Sequence, residues 1–68
     1  MRYQEAQMHL RKEAEKQQCT MYLHWDWRGW VISATRWDDW LYAAHPDGAR
    51  EFSDDGRKFE DAWVEGEG

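Results

Sequence analysis

Three histidines and one cysteine are the side chains of this sequence best suited to metal binding or nucleophilic chemistry: His9, His24, His45 and Cys19. A structural zinc site needs four such ligands, usually in two close pairs, and this spacing does not provide them. The sequence therefore predicts no metal site and no cofactor. We expect the histidines to be partly exposed at strand ends and Cys19 to be a buried, unreactive thiol.

Two pairs of adjacent carboxylates, Asp38–Asp39 and Asp54–Asp55, are the other candidates for chemistry. Adjacent carboxylates can share a proton or hold a cation, but the remaining ligands of a cation site are missing. Asp54 and Asp55 follow Ser53, which is typical of the first turn of a helix, where the helix dipole favours anions. Because there is also no nucleophile elbow and no phosphate-binding glycine loop, we predict that the protein is not an enzyme.

Tryptophan is the most informative residue type, because six occur in a chain of 68 residues. So small a domain has too little interior for six indoles, and tryptophan is favoured as a binding anchor where it stays on the surface. Trp27 and Trp37 fall in predicted turns. They are interpreted as lids over the core edge, as rings stacked on a neighbouring arginine, or as partner contacts. The core is expected to take most of the others: Trp25, Trp30, Trp63 and, depending on its face, Trp40.

The charge of the chain is acidic and unevenly distributed. The net charge is −5, and residues 45–68 alone, with eight acidic and three basic side chains, also carry −5. A nucleic-acid-binding protein usually has a basic footprint, so this charge disfavours direct binding to nucleic acid. An acidic field instead favours a basic partner, or serves solubility.

The expected location is the cytoplasm. A secreted protein of this size would usually carry several cysteines in disulfides, whereas this chain has one. No apolar run is long enough for a membrane span, and no signal peptide is recognisable.

Residues 2–18 are predicted to form an amphipathic helix, because good helix formers dominate this segment. Tyr3, Ala6, Leu10 and Ala14 follow one another at spacings of three and four residues, which places them on one stripe. Such a stripe is typical of a helix packed on a core rather than on a membrane.

From Cys19 onward the hydrophobic pattern alternates, which is typical of strands. Residues 19–45 are predicted to form a three-stranded antiparallel meander, with Gly29 free to take a positive φ in the first turn. In the last strand the alternation does not decide which pair faces the core, Trp40 with Tyr42 or Leu41 with Ala43. The predicted strands are residues 19–25, 30–35 and 40–44.

Residues 46–53 are predicted to form a turn and a short extended segment that pairs back onto the third strand. The turn is indicated by Pro46 and Gly48, which suit its second and fourth positions. A second helix over residues 54–65 follows, with Ser53 as its N-cap and a frayed tail at residues 66–68. Gly56 is expected to weaken this helix by about 1 kcal/mol relative to alanine. The buried stripe of the helix is expected to contain Phe59, Ala62 and Trp63.

Residues 1–68 are therefore predicted to form a single α+β domain of two layers, with an N-terminal helix, a three-stranded antiparallel meander and a C-terminal helix. Both helices would cover one face of the sheet. Each later element has a recognisable segment: the strand Trp40-Leu41-Tyr42-Ala43-Ala44, the turn Pro46-Asp47-Gly48, and the helix Phe59-Glu60-Asp61-Ala62-Trp63.

In layout, these segments resemble the double-stranded-RNA-binding domain, and the strands with the last helix resemble the arm-binding domains of phage integrases. The RNA-binding family has a lysine-rich cluster at the start of its last helix, whereas this chain reads Ser53-Asp54-Asp55-Gly56-Arg57-Lys58. The resemblance therefore implies the topology and not the RNA binding.

In size, charge and lack of catalytic residues, the chain is similar to small acidic inhibitors of phages and mobile elements, including anti-CRISPR proteins. That likeness implies a protein-binding module whose carboxylates replace phosphates on a basic, nucleic-acid-handling surface of another protein. The alternatives are a nucleic-acid-binding module that uses its aromatic side chains, and a self-associating accessory protein. The predicted partner-binding residues are Trp27, Trp37, Asp38, Asp39, Asp54, Asp55, Glu60 and Asp61.

Overall fold

The computed structural model describes residues 2–59, and these form an α+β domain with the predicted order of helix, antiparallel sheet and helix. Helix α1 spans Tyr3–Gln17, and strands β1 to β4 span Met21–Asp26, Gly29–Ser33, Trp40–Ala44 and Arg50–Phe52. A short second helix, α2, is described over residues 54–59. The predicted stripe of Ala62 and Trp63, and the tail at residues 66–68, lie outside the described residues.

The sheet has four strands in the order β2-β1-β3-β4, all paired antiparallel. The predicted three-stranded meander is therefore wrong in strand number and in order, because β3 pairs with β1 and not with β2. The predicted extended segment after the Pro46 turn does pair back onto the third strand, where it forms β4. The order also differs from the meander that the layout of the RNA-binding domain implies.

The connection from β2 to β3 crosses the face of the sheet. Strand β2 ends at Ser33, opposite Tyr22, and β3 begins at Trp40 on the other side of β1, opposite His24. The chain must therefore pass over β1, a distance of about 10 Å between the two flanking strands. Residues 34–39 make this passage, and we call them the crossing loop.

The core lies between α1 and the opposite face of the sheet, which we call the inner face. The predicted helix stripe is confirmed, because Tyr3, Ala6, Leu10 and Ala14 are all fully buried. They pack against inner-face side chains of the two central strands. The sheet residues of this cluster are Met21, Leu23, Tyr42 and Ala44, with Trp30, Ile32, Phe52 and Phe59 packed at its margin.

A β-bulge in β3 decides which side chains face the core. Leu23 pairs with Tyr42 and the next residue, His24, pairs with Trp40, so the register skips Leu41. The bulge directs Tyr42 into the core and Trp40 to the outer face of the sheet. Simple alternation would place Trp40 and Tyr42 on the same face of the sheet, whereas the bulge puts them on opposite faces.

Helix α2 begins at the predicted N-cap. The Ser53 hydroxyl accepts the backbone N–H of Gly56 at 2.9 Å, and Arg57 N–H donates to Ser53 O at 3.0 Å. Gly56 is buried against β3, where a Cβ atom would lie 1.7 Å from the carbonyl oxygen of Leu41. The hydroxyl of Tyr3 donates to Gly56 O at 3.2 Å, which ties α2 to α1.

Candidate functional site

One end of the sheet collects the segments that carry most of the predicted binding residues. Strands β1 and β2 meet there at the paired residues Asp26 and Gly29, β3 begins there at Trp40, and β4 ends there at Phe52. Antiparallel pairing therefore brings together the β1–β2 turn, the end of the crossing loop and the start of α2. We call this region the Trp27 end.

Trp27 stands at the tip of the β1–β2 turn with 91% of its surface exposed. The carboxylate of Asp26 orders the turn, because it accepts the backbone N–H of Arg28 at 2.7 Å and the guanidinium Nε and Nη2 at 3.0 and 2.6 Å. The positive φ of the turn falls on Gly29, at +98°. The Arg28 guanidinium lies 5.7 Å from the centroid of the Trp27 ring, within cation–π range. The turn thus holds an exposed indole on an ordered base.

The Asp26–Arg28 pair shifts the acidity of both groups. The hydrogen bond from Arg28 lowers the pKa of Asp26 below its ordinary value of 3.8, and the same bond raises the pKa of Arg28. Any stabilisation by the Asp26 carboxylate is present above its ordinary pKa and is lost as the pH falls through the lowered folded-state value. Because both side chains are solvated, the pair acts mainly by orienting the turn.

The crossing loop presents Trp37 beside two carboxylates. The Trp37 ring lies 4.4 Å from the His24 ring, centroid to centroid, and 41% of the Trp37 surface remains exposed. The loop is closed by a hydrogen bond from Trp40 N–H to Trp37 O at 3.1 Å. Asp38 and Asp39 follow and are exposed. Within residues 2–59, no lysine or arginine forms an ion pair with either carboxylate.

His24 lies beneath this loop and is fully buried. Its Nε2 is 3.3 Å from the carbonyl oxygen of Thr35, and its Nδ1 is 3.3 Å from Oδ1 of Asp39 but is not aligned for a hydrogen bond. The prediction of partly exposed histidines at strand ends is wrong for His24, because the crossing loop covers the middle of β1. It holds for His45, which follows β3 and contacts Thr20.

A second aromatic group lies on the outer face of the sheet. Trp40 packs edge-on against Tyr22 at 5.8 Å, and the guanidinium of Arg36 lies 5.9 Å from the Trp40 ring. Together with Trp37, these side chains give the outer face a half-exposed aromatic surface.

The prediction that tryptophans build the core is wrong for Trp25 and holds in part for Trp30, which packs against the core cluster, while Trp40 faces outward. Trp25 is 44% exposed, Trp30 and Trp40 are partly buried, and the largest fully buried side chains include Tyr3 and Tyr42. Trp25 belongs to the inner face but lies near the end of β1, where it contacts Trp30 and leaves an edge to solvent. Trp63 lies outside the described residues.

The remaining predicted partner-binding residues, all acidic, are Asp54, Asp55, Glu60 and Asp61. Asp54 and Asp55 are exposed in the first turn of α2, at the Trp27 end, but Arg57 and Lys58 follow them at once. Glu60 and Asp61 lie outside the described residues.

Three residues of this region were missed by the sequence analysis, namely His24, Tyr22 and Arg36. A signal was present for two of them, because Tyr22 and His24 alternate with the core residue Leu23 and therefore face away from the helices. Nothing in the sequence indicated that a loop would cover that face. The loop is forced over β1 because β3 pairs with β1, and this pairing joins segments that are far apart in the sequence.

The opposite end of the molecule carries a different surface. A groove of about 270 Å³ lies between α1 and the β3–β4 turn. Met8, 55% exposed, lines it together with Pro46, and Arg11 and Lys12 lie along its helical side. Glu15 lines the groove as well, so this end carries charges of both signs.

No group of three or more histidine, cysteine or acidic side chains in residues 2–59 is placed to hold a metal ion. Within the same residues, no helix is long and apolar enough to cross a membrane. The chain matches no protein-family model, no curated protein and no solved structure. The functional proposal therefore rests on the geometry of the Trp27 end and the crossing loop.

Proposed function

We propose that this protein is a protein-binding module that recognises a basic surface through Trp27, Trp37, Asp38 and Asp39. The observation that carries the proposal is the crossing loop, which presents a half-exposed indole next to two carboxylates that no described lysine or arginine neutralises. An indole face and carboxylates are both attractive to arginine and lysine side chains. A cationic partner surface can therefore bind both the Trp37 indole and the two carboxylates of the loop.

The Trp27 turn supplies the apolar anchor of this interface. Exposed tryptophan is a frequent hot spot of protein interfaces, and an anchor that is already ordered loses little conformational entropy on binding. The hydrogen bonds from Arg28 to Asp26 provide that order at Trp27. An exposed indole on an ordered turn and an acidic loop at the same end of the sheet favour one binding surface.

We propose further that the partner surface is one that handles nucleic acid, and that binding inhibits it, as in the phage and mobile-element inhibitors that the chain resembles. The support is the chemistry of the loop, since carboxylates can occupy cationic sites that otherwise bind phosphate. Such a protein would act in the cytoplasm of the host cell.

Capture on the immobilised protein from a host-cell lysate, followed by mass spectrometry, identifies the partner. Affinity is then measured for Trp27→Ala, Trp37→Ala and the double variant Asp38→Asn, Asp39→Asn. We expect each to weaken binding at least about tenfold, because truncating a hot spot costs about 2 kcal/mol or more and about 1.4 kcal/mol is already tenfold. The binding of the unaltered protein should also weaken as salt rises.

Matched controls come from the groove at the other end. Met8→Ala removes an exposed apolar side chain, and Glu15→Gln removes an exposed carboxylate. Both should leave the affinity unchanged. Equal affinity of the unaltered protein and both tryptophan variants, with all of them folded by circular dichroism, would rule the proposal out.

Self-association is a second candidate function, favoured by the edge strand β2. Its residues Gly29–Ser33 carry no charge and no proline, the devices that usually protect an edge, and within residues 2–59 only β1 pairs with it. Light scattering at two concentrations tests this candidate, and Val31→Lys should prevent any dimer formed through this edge.

A further inference from the structure

We propose that His24 and Asp39 form a proton-operated clasp that holds the crossing loop against the sheet and thereby regulates the binding surface. This inference rests on the proposed function in one respect, namely that the held loop presents Trp37 and Asp38 to a partner. The clasp itself is a property of the isolated protein.

The proposed clasp follows from the two oxygen atoms that lie opposite the ring nitrogens of His24. Nε2 faces the carbonyl oxygen of Thr35 at 3.3 Å, and Nδ1 faces a carboxylate oxygen of Asp39 at 3.3 Å. A carbonyl and an ionised carboxylate are acceptors only. Each nitrogen therefore needs a hydrogen to make its contact favourable.

Neutral imidazole has only one N–H, so either tautomer leaves a lone pair opposite an acceptor. If Nε2 holds the hydrogen, Nδ1 opposes the Asp39 carboxylate, and if Nδ1 holds it, Nε2 opposes the Thr35 carbonyl. The imidazolium ion makes both contacts attractive: Nε2 donates to Thr35 O, and the positive ring attracts the Asp39 carboxylate without an aligned hydrogen bond. Because His24 is fully buried, water cannot replace the missing hydrogen bond in place.

Within residues 2–59, Asp39 is the one acidic side chain in ion-pair contact with the ring, and Asp26 interacts with His24 at longer range. On the crossing loop, Trp37 covers the imidazole, and Arg36 lies over the Trp40 ring. The residues paired with His24 on the flanking strands are Val31 and Trp40, which are uncharged. Two residues along β1, the carboxylate of Asp26 is engaged by Arg28.

The sign of the effect follows from this arrangement. When the ring is an imidazolium ion, both of its contacts are attractive and the loop is held. When a rise in pH removes the proton, the ring becomes neutral, one contact turns repulsive and the loop is released. Partner binding should weaken over the same rise in pH, because a released loop must be ordered again on binding.

The test is a pH titration of the isolated, isotope-labelled protein by NMR between pH 5 and 8.5. We expect the indole N–H of Trp37 and the amide of Thr35 to shift with the same midpoint as the His24 ring. In Asp39→Asn, the amide can donate to a neutral Nδ1, so the shifts of the loop should be lost. Asp38→Asn alters the neighbouring exposed carboxylate, and it should keep them.

Loop resonances that do not move between pH 5 and 8.5 would overturn the clasp. So would a titration that is the same in Asp39→Asn as in the unaltered protein, since another group would then be its source. His24→Phe, which keeps a ring beneath Trp37 but has no nitrogen, should abolish the titration. These outcomes need no partner, so they are distinct from a failure of the tryptophan variants to affect binding.

Discussion

At the scale of single residues, Gly56 shows how close packing against a strand can outweigh helix propensity. Propensity alone predicts that Gly56→Ala stabilises α2 by about 1 kcal/mol. The new Cβ would, however, lie 1.7 Å from the carbonyl oxygen of Leu41 and 2.7 Å from its carbon, so the helix must move off β3. Overpacking of this kind outweighs the propensity, and we expect a net loss of about 2–3 kcal/mol in unfolding free energy, measured by urea denaturation.

Lys58→Ala is the matched control for this substitution, because it introduces alanine at an exposed position of the same helix. It should change the unfolding free energy by no more than about 0.5 kcal/mol. If Gly56→Ala is as stable as the control or more so, α2 does not contact β3 as described.

At the scale of the elements, the end of α1 stores conformational strain. Gln18 takes a left-handed conformation, with φ of 55° and ψ of 41°, and is the one described residue other than glycine with a positive φ. Glycine adopts this conformation without a steric penalty, and it is the usual residue at this position. We expect Gln18→Gly to raise the unfolding free energy by about 0.5–1 kcal/mol, reduced in part by the lost side-chain hydrogen bond to Glu15 O.

Gln18→Ala separates the two contributions, because alanine loses the same hydrogen bond but keeps the strain. It should be no more stable than the unaltered protein in thermal and urea unfolding. A stability gain of equal size in both variants would contradict strain relief as the cause.

The elements also show how far the sequence predicts this fold. Local signals were sufficient for the α1 stripe, the Pro46 turn and the Ser53 cap, because each depends on neighbouring residues. Simple alternation failed in β3, because it assumes an unbroken pleat and the bulge at Leu41 breaks it. The burial of His24 was also beyond the sequence, since it depends on β3 joining the far side of β1.

At the scale of the whole molecule, Tyr3 connects both helices to the sheet. Its ring is fully buried, stacks on Trp30 at 5.1 Å and meets Phe59 edge-on at 5.2 Å. Removing a buried aromatic ring costs about 3–5 kcal/mol, whereas a domain of this length has roughly 3–10 kcal/mol in total. We therefore expect Tyr3→Ala to be largely unfolded at 25 °C by circular dichroism.

Tyr3→Phe keeps the ring and removes only the hydroxyl that donates to Gly56 O. It should stay folded with a loss of about 1–2 kcal/mol. A cooperative thermal transition of Tyr3→Ala close to that of the unaltered protein would show that the two layers do not depend on this ring.

The distribution of the aromatic side chains determines what fluorescence can report about this protein. The five described tryptophans all retain contact with solvent or lie at the margin of the core, while Tyr3 and Tyr42 are fully buried. Emission from Trp25, Trp27 and Trp37, the exposed ones, should be red-shifted and accessible to acrylamide in the native state, so that unfolding changes their emission little. Docking of a partner on the Trp27 end should shield Trp27 and Trp37 from the quencher. The same indoles that report poorly on unfolding are thus built-in probes of association.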